Sequence, residues 1–130
     1  MKIKLTSVYV DDQEKALRFY TDVLGFVKTA DVTQGPYRWL TVGSAEETDG
    51  ASLQLAPNDN PAAKAYQQAM FEQKVPAANF YSDDVKADCE RIQARGGKLT
   101  TPATDAPWGS MAIIDDTCGN LIQITQLKGW

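Results

Sequence analysis

Hydrophobic and polar positions along the chain follow the same order twice. Each copy begins with a segment in which apolar and polar residues alternate, which is typical of a strand with one buried face. An Asp-Asp pair follows, then a segment with apolar residues at helical spacing, then a glycine. The shared spacing links Tyr9, Asp11, Asp12 and Gly25 to Tyr81, Asp83, Asp84 and Gly97. The chain therefore contains an internal repeat.

Each copy predicts a helix followed by three strands. In the first copy, Asp11 or Asp12 can cap the helix start, and Gly25 can adopt the left-handed conformation that ends it. Strands are predicted near residues 27–32, 37–42 and 51–56, and near residues 98–101, 110–114 and 120–125. Both copies are thus predicted to be βαβββ modules.

A linker helix is predicted between the two modules. The modules cover about residues 1–57 and 76–130, and Asn60 and Pro61 suit the start of a helix over about residues 61–73. Ala65 and Ala69, with Met70 beside them, form its expected apolar stripe. A single module leaves an open four-strand sheet with one covered face, so two modules are expected to pack together in one α+β domain of residues 1–130.

The composition excludes several classes of function. The 130 residues include no histidine, which rules out Ser-His-Asp triads, Cys-His pairs and imidazole metal sites. The net charge is -4 and the basic residues are scattered, so no nucleic-acid partner is expected. No apolar run is long enough to cross a membrane, and the N-terminus lacks a signal-peptide pattern. We expect a cytoplasmic protein in which Cys89 and Cys118 stay reduced.

Two strings of residues carry a resemblance to a known family. VYVDDQEKALRFYTDVLGF and the later DDTCGNLIQITQ resemble the vicinal oxygen chelate superfamily, which includes glyoxalase I, bleomycin-resistance proteins and extradiol dioxygenases. The resemblance covers about residues 3–127. It implies two βαβββ modules that form an incomplete, cavity-enclosing barrel, and a homodimer.

The resemblance also places the metal ligands of metal-using family members. Those ligands lie on the first and last strands of each module, at positions that match Leu5, Gln54, Ala77 and Gln123. Leucine and alanine have no lone pair to donate, and two neutral amides hold a divalent ion weakly. The sequence therefore predicts neither a metal site nor another cofactor, which argues against glyoxalase I and dioxygenase chemistry.

Strand alternation predicts which side chains line the cavity instead. Successive side chains of a strand point to opposite faces of the sheet. The residues that share a face with Leu5 and its equivalents are therefore predicted to point into the ligand cavity. The candidate ligand-binding residues are Tyr9, Trp39, Gln54, Asn79, Tyr81, Trp108, Met111 and Gln123. Apolar and aromatic surface with a few amides is typical of a small-molecule pocket.

These candidates also have structural explanations. Tyr9 and Tyr81 can be core residues with hydroxyls bonded to the backbone, and large aromatic residues such as Trp39 and Trp108 also suit a dimer interface. Gln54 and Gln123 can hydrogen-bond each other across the two modules. The acidic pairs are predicted to cap helices, residues 115–120 to form a turn, and residues 46–50 to form a solvated loop. Without a histidine to generate a thiolate, Cys118 is not expected to act as a nucleophile.

Three functional hypotheses follow. The favoured one is a metal-independent homodimeric binding protein of the bleomycin-resistance type, which sequesters a small, partly aromatic molecule. The alternative is a lyase or isomerase of the glyoxalase type that uses Tyr9 or Tyr81 as an acid and Gln54 or Gln123 to orient an oxyanion; no inward carboxylate is predicted to act as its base. A third hypothesis is an interaction module whose site has decayed. The sequence leaves open whether the chain is an enzyme.

Overall fold

Eight strands and three α-helices appear in the computed structural model, which describes residues 1–129. A π-helical turn, Phe19–Val23, continues the first helix. The elements are β1 Leu5–Val10, α1 Gln13–Arg18, β2 Val27–Gln34, β3 Tyr37–Gly43, β4 Ser52–Pro57, α2 Pro61–Glu72, β5 Ala78–Tyr81, α3 Val85–Ala94, β6 Lys98–Ala106, β7 Gly109–Asp115 and β8 Leu121–Leu127. The predicted repetition of a βαβββ unit is confirmed.

The strands form two four-stranded sheets with the same topology. Sheet 1 has the order β1-β4-β3-β2 and sheet 2 the order β5-β8-β7-β6. In each sheet the first and last strands of the module pair in parallel, and the other pairs are antiparallel. Neither sheet closes into a barrel, and the predicted α+β class is confirmed. β2 and β6 run longer than predicted and contain register shifts.

Both sheets bury one face in a single core. Val8 and Val10 of β1 are buried, and the intervening Tyr9 is 39% exposed, which confirms the predicted alternation. One hydrophobic cluster joins the inner residues of sheet 1 and sheet 2 with the buried sides of α1 and α3. Because the two faces of a sheet point in opposite directions, the other face of each sheet points away from this core. We call these the outward faces of sheet 1 and sheet 2.

Short polar contacts fix the helix ends as predicted. The carboxylate of Asp12 accepts a hydrogen bond from the backbone amide of Lys15, and Asp84 accepts one from the amide of Ala87. These contacts satisfy amides that have no partner inside the helix. Gly25 has a φ of +88°, the left-handed conformation expected of a glycine at a helix end.

The apolar stripe predicted for α2 is wrong. Ala65 and Ala69 are exposed, whereas Ala63 and Gln67 are buried. Hydrogen bonds rather than apolar contacts determine which side of α2 is buried. The Gln67 side chain accepts a hydrogen bond from Asn58 and donates to backbone carbonyls of β1 and the β7–β8 turn. A buried amide that satisfies its hydrogen bonds can occupy an interior helix face.

A buried polar network connects the two modules. The carboxylate of Asp116, in the β7–β8 turn, accepts hydrogen bonds from the Tyr20 hydroxyl and the Asn120 side chain, both at 2.7 Å. The same Asn120 amide and that of Gln67 donate to the carbonyl of Tyr9 in β1. Burial raises the pKa of Asp116, and that of Tyr20 lies well above its ordinary value for the same reason. The predicted turn therefore also fixes one module against the other.

Both cysteines are buried free thiols. Burial raises the pKa of Cys118 to about 12, so its thiol stays protonated at neutral pH. Within residues 1–129, no helix combines the length and the apolar content that a membrane span requires.

Candidate ligand-binding site

A fixed amide lies at the centre of the outward face of sheet 1. Ser7, Gln54, Thr41 and Ala30 are in register across its four strands. The Ser7 hydroxyl donates to Oε1 of Gln54 at 2.9 Å, and Nε2 of Gln54 donates to the hydroxyl of Tyr37 at 3.3 Å. The amide of Gln54 is therefore held at both ends.

Apolar and aromatic side chains surround this amide. Leu5 and Tyr9 of β1 are 40% and 39% exposed, Tyr37 of β3 is 47% exposed, and Trp39 is half-buried. Sequence analysis missed Tyr37, although its strand parity with Trp39 marked it as outward-pointing. The side chains that β1, β3 and β4 present here are all uncharged: Leu5, Ser7, Tyr9, Tyr37, Trp39, Thr41, Ser52 and Gln54.

A cluster of charged side chains lies on the other side of sheet 1. Arg38 of β3 donates to both carboxylate oxygens of Asp31 at 2.9 Å and also to Glu14 of α1 at 3.1 Å. The guanidinium lowers the pKa of Asp31 to about 2 by its hydrogen bonds. Because Arg38 alternates with Tyr37 and Trp39 along β3, these charges point away from the aromatic face.

The outward face of sheet 2 also has an amide at its centre, held in a different way. Nε2 of Gln123 donates to the hydroxyl of Thr125 at 3.1 Å, and this hydroxyl donates to Oδ1 of Asn79 at 2.8 Å. Thr125 is only 3% exposed, so this chain of bonds is largely protected from water. Oε1 of Gln123 has no hydrogen-bond partner in residues 1–129. Met111 lies in register with Thr125, and Trp108 is 46% exposed at the β6–β7 hairpin.

A cavity of about 490 Å³ opens on this second face. Thr101, Ile113 and Leu121 of sheet 2 line it, together with Phe71 and Lys74 from the end of α2 and just beyond. Its volume is within the range of small-molecule sites. Sequence analysis missed the contribution of α2. The only local indication of it was Phe71, an aromatic residue on the exposed side of this helix.

Two of the candidates line a cleft between the modules. Asn79 and Tyr81, at the outer edge of sheet 2, lie in a cleft of about 630 Å³ with Phe26, Phe80 and Glu46. The rings of Phe26 and Phe80 meet edge to face with centroids 5.1 Å apart. Tyr81 is thus accessible from this cleft, and the residue is 55% exposed.

The eight candidates form two groups that one chain does not bring together. Sheet 1 carries Tyr9, Trp39 and Gln54, and sheet 2 with its hairpin carries Asn79, Tyr81, Trp108, Met111 and Gln123. The two outward faces point away from the shared core, so the groups face different directions. The expected hydrogen bond between Gln54 and Gln123 is wrong within the chain, because each amide bonds to neighbours on its own sheet.

The residues at the four family metal positions do not fit a metal ion. Leu5 and Ala77 offer no donor atom, and Oε1 of Gln54 already accepts from Ser7. One further neutral amide, Gln123, does not make a divalent site. Nor do any three His, Cys, Asp or Glu side chains within residues 1–129 gather closely enough to hold an ion.

Comparison with known proteins gives one family and several relatives. The family described as "Glyoxalase/Bleomycin resistance protein/Dioxygenase superfamily" matches residues 2–124. YurT of Bacillus subtilis (strain 168) is 46% identical over 126 residues, covering 97% of this chain and 99% of YurT. The crystal structure of TnmS3, an antibiotic binding protein from Streptomyces sp. CB03234, superposes with a TM-score of 0.77 at 33% identity, covering 98% of this chain and 97% of TnmS3. A probable lactoylglutathione lyase of Vibrio parahaemolyticus is 28% identical over 131 residues, covering 98% of this chain and 91% of the lyase.

Proposed function

The chain belongs to the Glyoxalase/Bleomycin resistance protein/Dioxygenase superfamily, and from this premise we propose that it binds and sequesters a small, partly aromatic molecule without a metal ion. The main support is the outward face of sheet 1, where uncharged and aromatic side chains surround the fixed amide of Gln54. Such a surface supplies apolar contact area and a few polar groups that orient a ligand. The similarity to TnmS3 favours an antibiotic or a compound of comparable chemistry.

The proposed binding unit is a homodimer. Each outward face exposes large aromatic side chains, including Tyr37 on sheet 1 and Tyr81 on sheet 2, and such patches are uncommon on surfaces that stay in water. We propose that sheet 1 of one copy faces sheet 2 of the other, so that each cavity is shared. The ligand would then contact both groups of candidates: Tyr9, Trp39 and Gln54 from one copy and Asn79, Tyr81, Trp108, Met111 and Gln123 from the other. A cytoplasmic location is part of the proposal, since both cysteines are free thiols.

Tryptophan emission provides a direct test. Trp39 lies on the proposed binding surface, so a saturable change in emission is expected when the purified protein is titrated with a panel of aromatic antibiotics and metabolites. Because Trp108 also belongs to the proposed cavity, the variant Trp39→Phe should lose part of this change, and calorimetry should show binding weakened by the smaller aromatic surface. No binding across a broad panel by a folded dimer would contradict the proposed function. A monomer that binds ligand with full affinity would contradict the shared cavity.

A lyase or isomerase activity is the second candidate, favoured by the similarity to the probable lactoylglutathione lyase. In this case Tyr9 or Tyr81 would act as the acid, and Gln54 or Gln123 would orient the oxyanion. The test is turnover of the hemithioacetal of methylglyoxal and glutathione, with and without added nickel or zinc. Turnover without metal would favour this candidate over sequestration. Turnover that requires a metal would contradict the assignment of Gln54 and Gln123 as poor ligands.

A further inference from the structure

We propose that Tyr37 and Gln54 act together as a pair of hydrogen-bond donors that selects aromatic ligands carrying a carbonyl oxygen. The inference rests on the proposed binding function and adds a specificity-determining residue, Tyr37, to it. Nε2 of Gln54 donates to the Tyr37 hydroxyl, which acts as the acceptor in this bond. The phenolic hydrogen has no acceptor in residues 1–129, and the side chain is 47% exposed on the outward face.

The orientation of the Gln54 amide follows from its other contact. Ser7 donates to Oε1 at 2.9 Å, which turns Nε2 toward Tyr37. An amide nitrogen carries two hydrogens, and only one is used by Tyr37. One N–H of Gln54 and the O–H of Tyr37 therefore remain available to a ligand, and their heavy atoms are 3.3 Å apart.

The surroundings make a neutral acceptor the best match for these two donors. The remaining polar group in the central row, the Thr41 hydroxyl, is already bonded to the Thr29 hydroxyl at 2.6 Å. The outward positions of β1, β3 and β4 include no cation to hold a carboxylate. Tyr9 and Trp39 supply apolar surface beside the donors, so a carbonyl oxygen buried there gains a hydrogen bond from one of them in place of water.

Sheet 2 does not duplicate this donor pair. Gly109 begins β7 as Tyr37 begins β3, and a Cβ at Gly109 would overlap the backbone oxygen of Gln126. No side chain fits there. The amide of Gln123 instead donates one N–H to Thr125 and leaves its oxygen open, so sheet 2 presents an acceptor beside a single remaining N–H and lacks a second donor equivalent to Tyr37. A carbonyl group is therefore directed to sheet 1, and the ligand acquires a single preferred orientation.

The experiment uses two probes of nearly equal shape, 2-acetylnaphthalene and 2-ethylnaphthalene. Their dissociation constants are measured by calorimetry with the full-length protein, and selectivity is defined as the ratio of the ethyl to the acetyl value. The two probes differ in hydration, but this difference is the same for every variant. It therefore cancels when the ratio of a variant is compared with that of the wild type. We expect Tyr37→Phe and Gln54→Leu each to lower the ratio by roughly fivefold, as for the loss of about one hydrogen bond. The control Tyr66→Phe, on the exposed side of α2, should leave it unchanged.

The outcomes separate this inference from the proposed function. If the wild type binds both probes and Tyr37→Phe keeps the wild-type ratio, the donor pair is overturned while sequestration stands. The same result is expected if the Gln54 amide has the opposite orientation, with Tyr37 donating to Oε1 and Ser7 left as the free donor. Retained affinity of each variant for the ethyl probe shows that the face is intact. If the wild type binds neither probe, the inference is contradicted, whereas the proposed function is contradicted only by an absence of binding across the broad panel of aromatic compounds.

Discussion

The outward faces of the two sheets share a frame and differ in their chemistry. Both have the same strand order, and both place a glutamine at the centre of the last strand of the module, Gln54 in β4 and Gln123 in β8. On sheet 1 the amide is held by groups near the surface, Ser7 and Tyr37. On sheet 2 it is held by the buried Thr125. The repeat therefore preserved the backbone, while neighbouring side chains hold both ends of the Gln54 amide and only the nitrogen end of the Gln123 amide.

The hairpins that begin β3 and β7 explain part of this difference. In module 1 the turn of Gly35 and Pro36 leads into Tyr37, whose ring has space on the outward face. In module 2, Gly109 packs directly against the β8 backbone with a φ of +153°, which L side chains rarely adopt. The first hairpin can carry a functional side chain at this position and the second cannot.

The substitution with the largest expected effect lies in the second hairpin and tests whether the two hairpins are constrained differently. Gly109→Ala forces a methyl group into the backbone of Gln126 and strains φ, so we expect the free energy of unfolding to fall by about 4 kcal/mol. Gly35→Ala is the matched control. Gly35 also has a positive φ, +60°, but a Cβ there has no neighbour within 4 Å, and a loss of about 1 kcal/mol is expected. Urea unfolding measures both, and equal losses would show that the two hairpins are not constrained differently.

A second pair of variants sharpens the contrast between buried and exposed anchoring. Thr125→Val keeps the shape of the side chain and removes the hydroxyl that joins Gln123 to Asn79. Because Thr125 is 3% exposed, its partners are poorly rescued by water, and a loss of about 1–2 kcal/mol is expected. Ser7→Ala removes the corresponding hydroxyl from the exposed face of sheet 1 and should cost less than about 0.5 kcal/mol. Thermal unfolding measures the loss of stability in both variants. A larger loss for Ser7→Ala than for Thr125→Val would contradict the distinction between exposed anchoring on sheet 1 and buried anchoring on sheet 2.

The smallest expected effect concerns acid stability. The hydrogen bonds from Arg38 lower the pKa of Asp31 from 3.8 to about 2. A carboxylate with a lowered pKa stabilises the folded state above its unfolded pKa, so this contribution is present above pH 3.8 and is lost as the pH falls toward about 2. Asp31→Asn should therefore flatten the pH dependence of stability within this window.

Asp105→Asn provides the control for this measurement in the other module. It removes the same charge from β6, where the carboxylate accepts a hydrogen bond from Ser110 at 2.7 Å. Unfolding followed by circular dichroism from pH 5 to pH 2 measures both variants. The assignment fails if Asp31→Asn keeps the acid slope of the wild type, or if the two variants flatten it equally.

Local patterns predicted much of the fold. Val8 and Val10 alternate with Tyr9, so their burial follows from the strand period alone. The capping roles of Asp12 and Asp84 depend on amides three residues away, so the sequence around them contains the necessary information. Because the same local signals occur twice, the repeat reinforced each prediction.

Contacts between distant segments could not be predicted in this way. Gln67 is buried because backbone carbonyls of β1 and the β7–β8 turn meet above α2, and nothing in the helix sequence indicates them. The role of Tyr37 depends on Gln54, a residue on a neighbouring strand. The contribution of Phe71 to the cavity on sheet 2 depends on where the linker helix ends relative to that sheet. In all three cases the signal lies in the tertiary structure.

Because both modules share a single core, the outward faces of such a protein can evolve without disturbing the residues that stabilise its fold. Residues that hold the fold together, such as Ile114 and Leu55, point inward, whereas those that would meet a ligand point outward from the same strands. Natural selection can therefore exchange alternate residues of one strand to suit a new compound while the intervening residues keep the protein folded. The two faces can also diverge separately, so one can adapt to a new chemical group without altering what the other recognises.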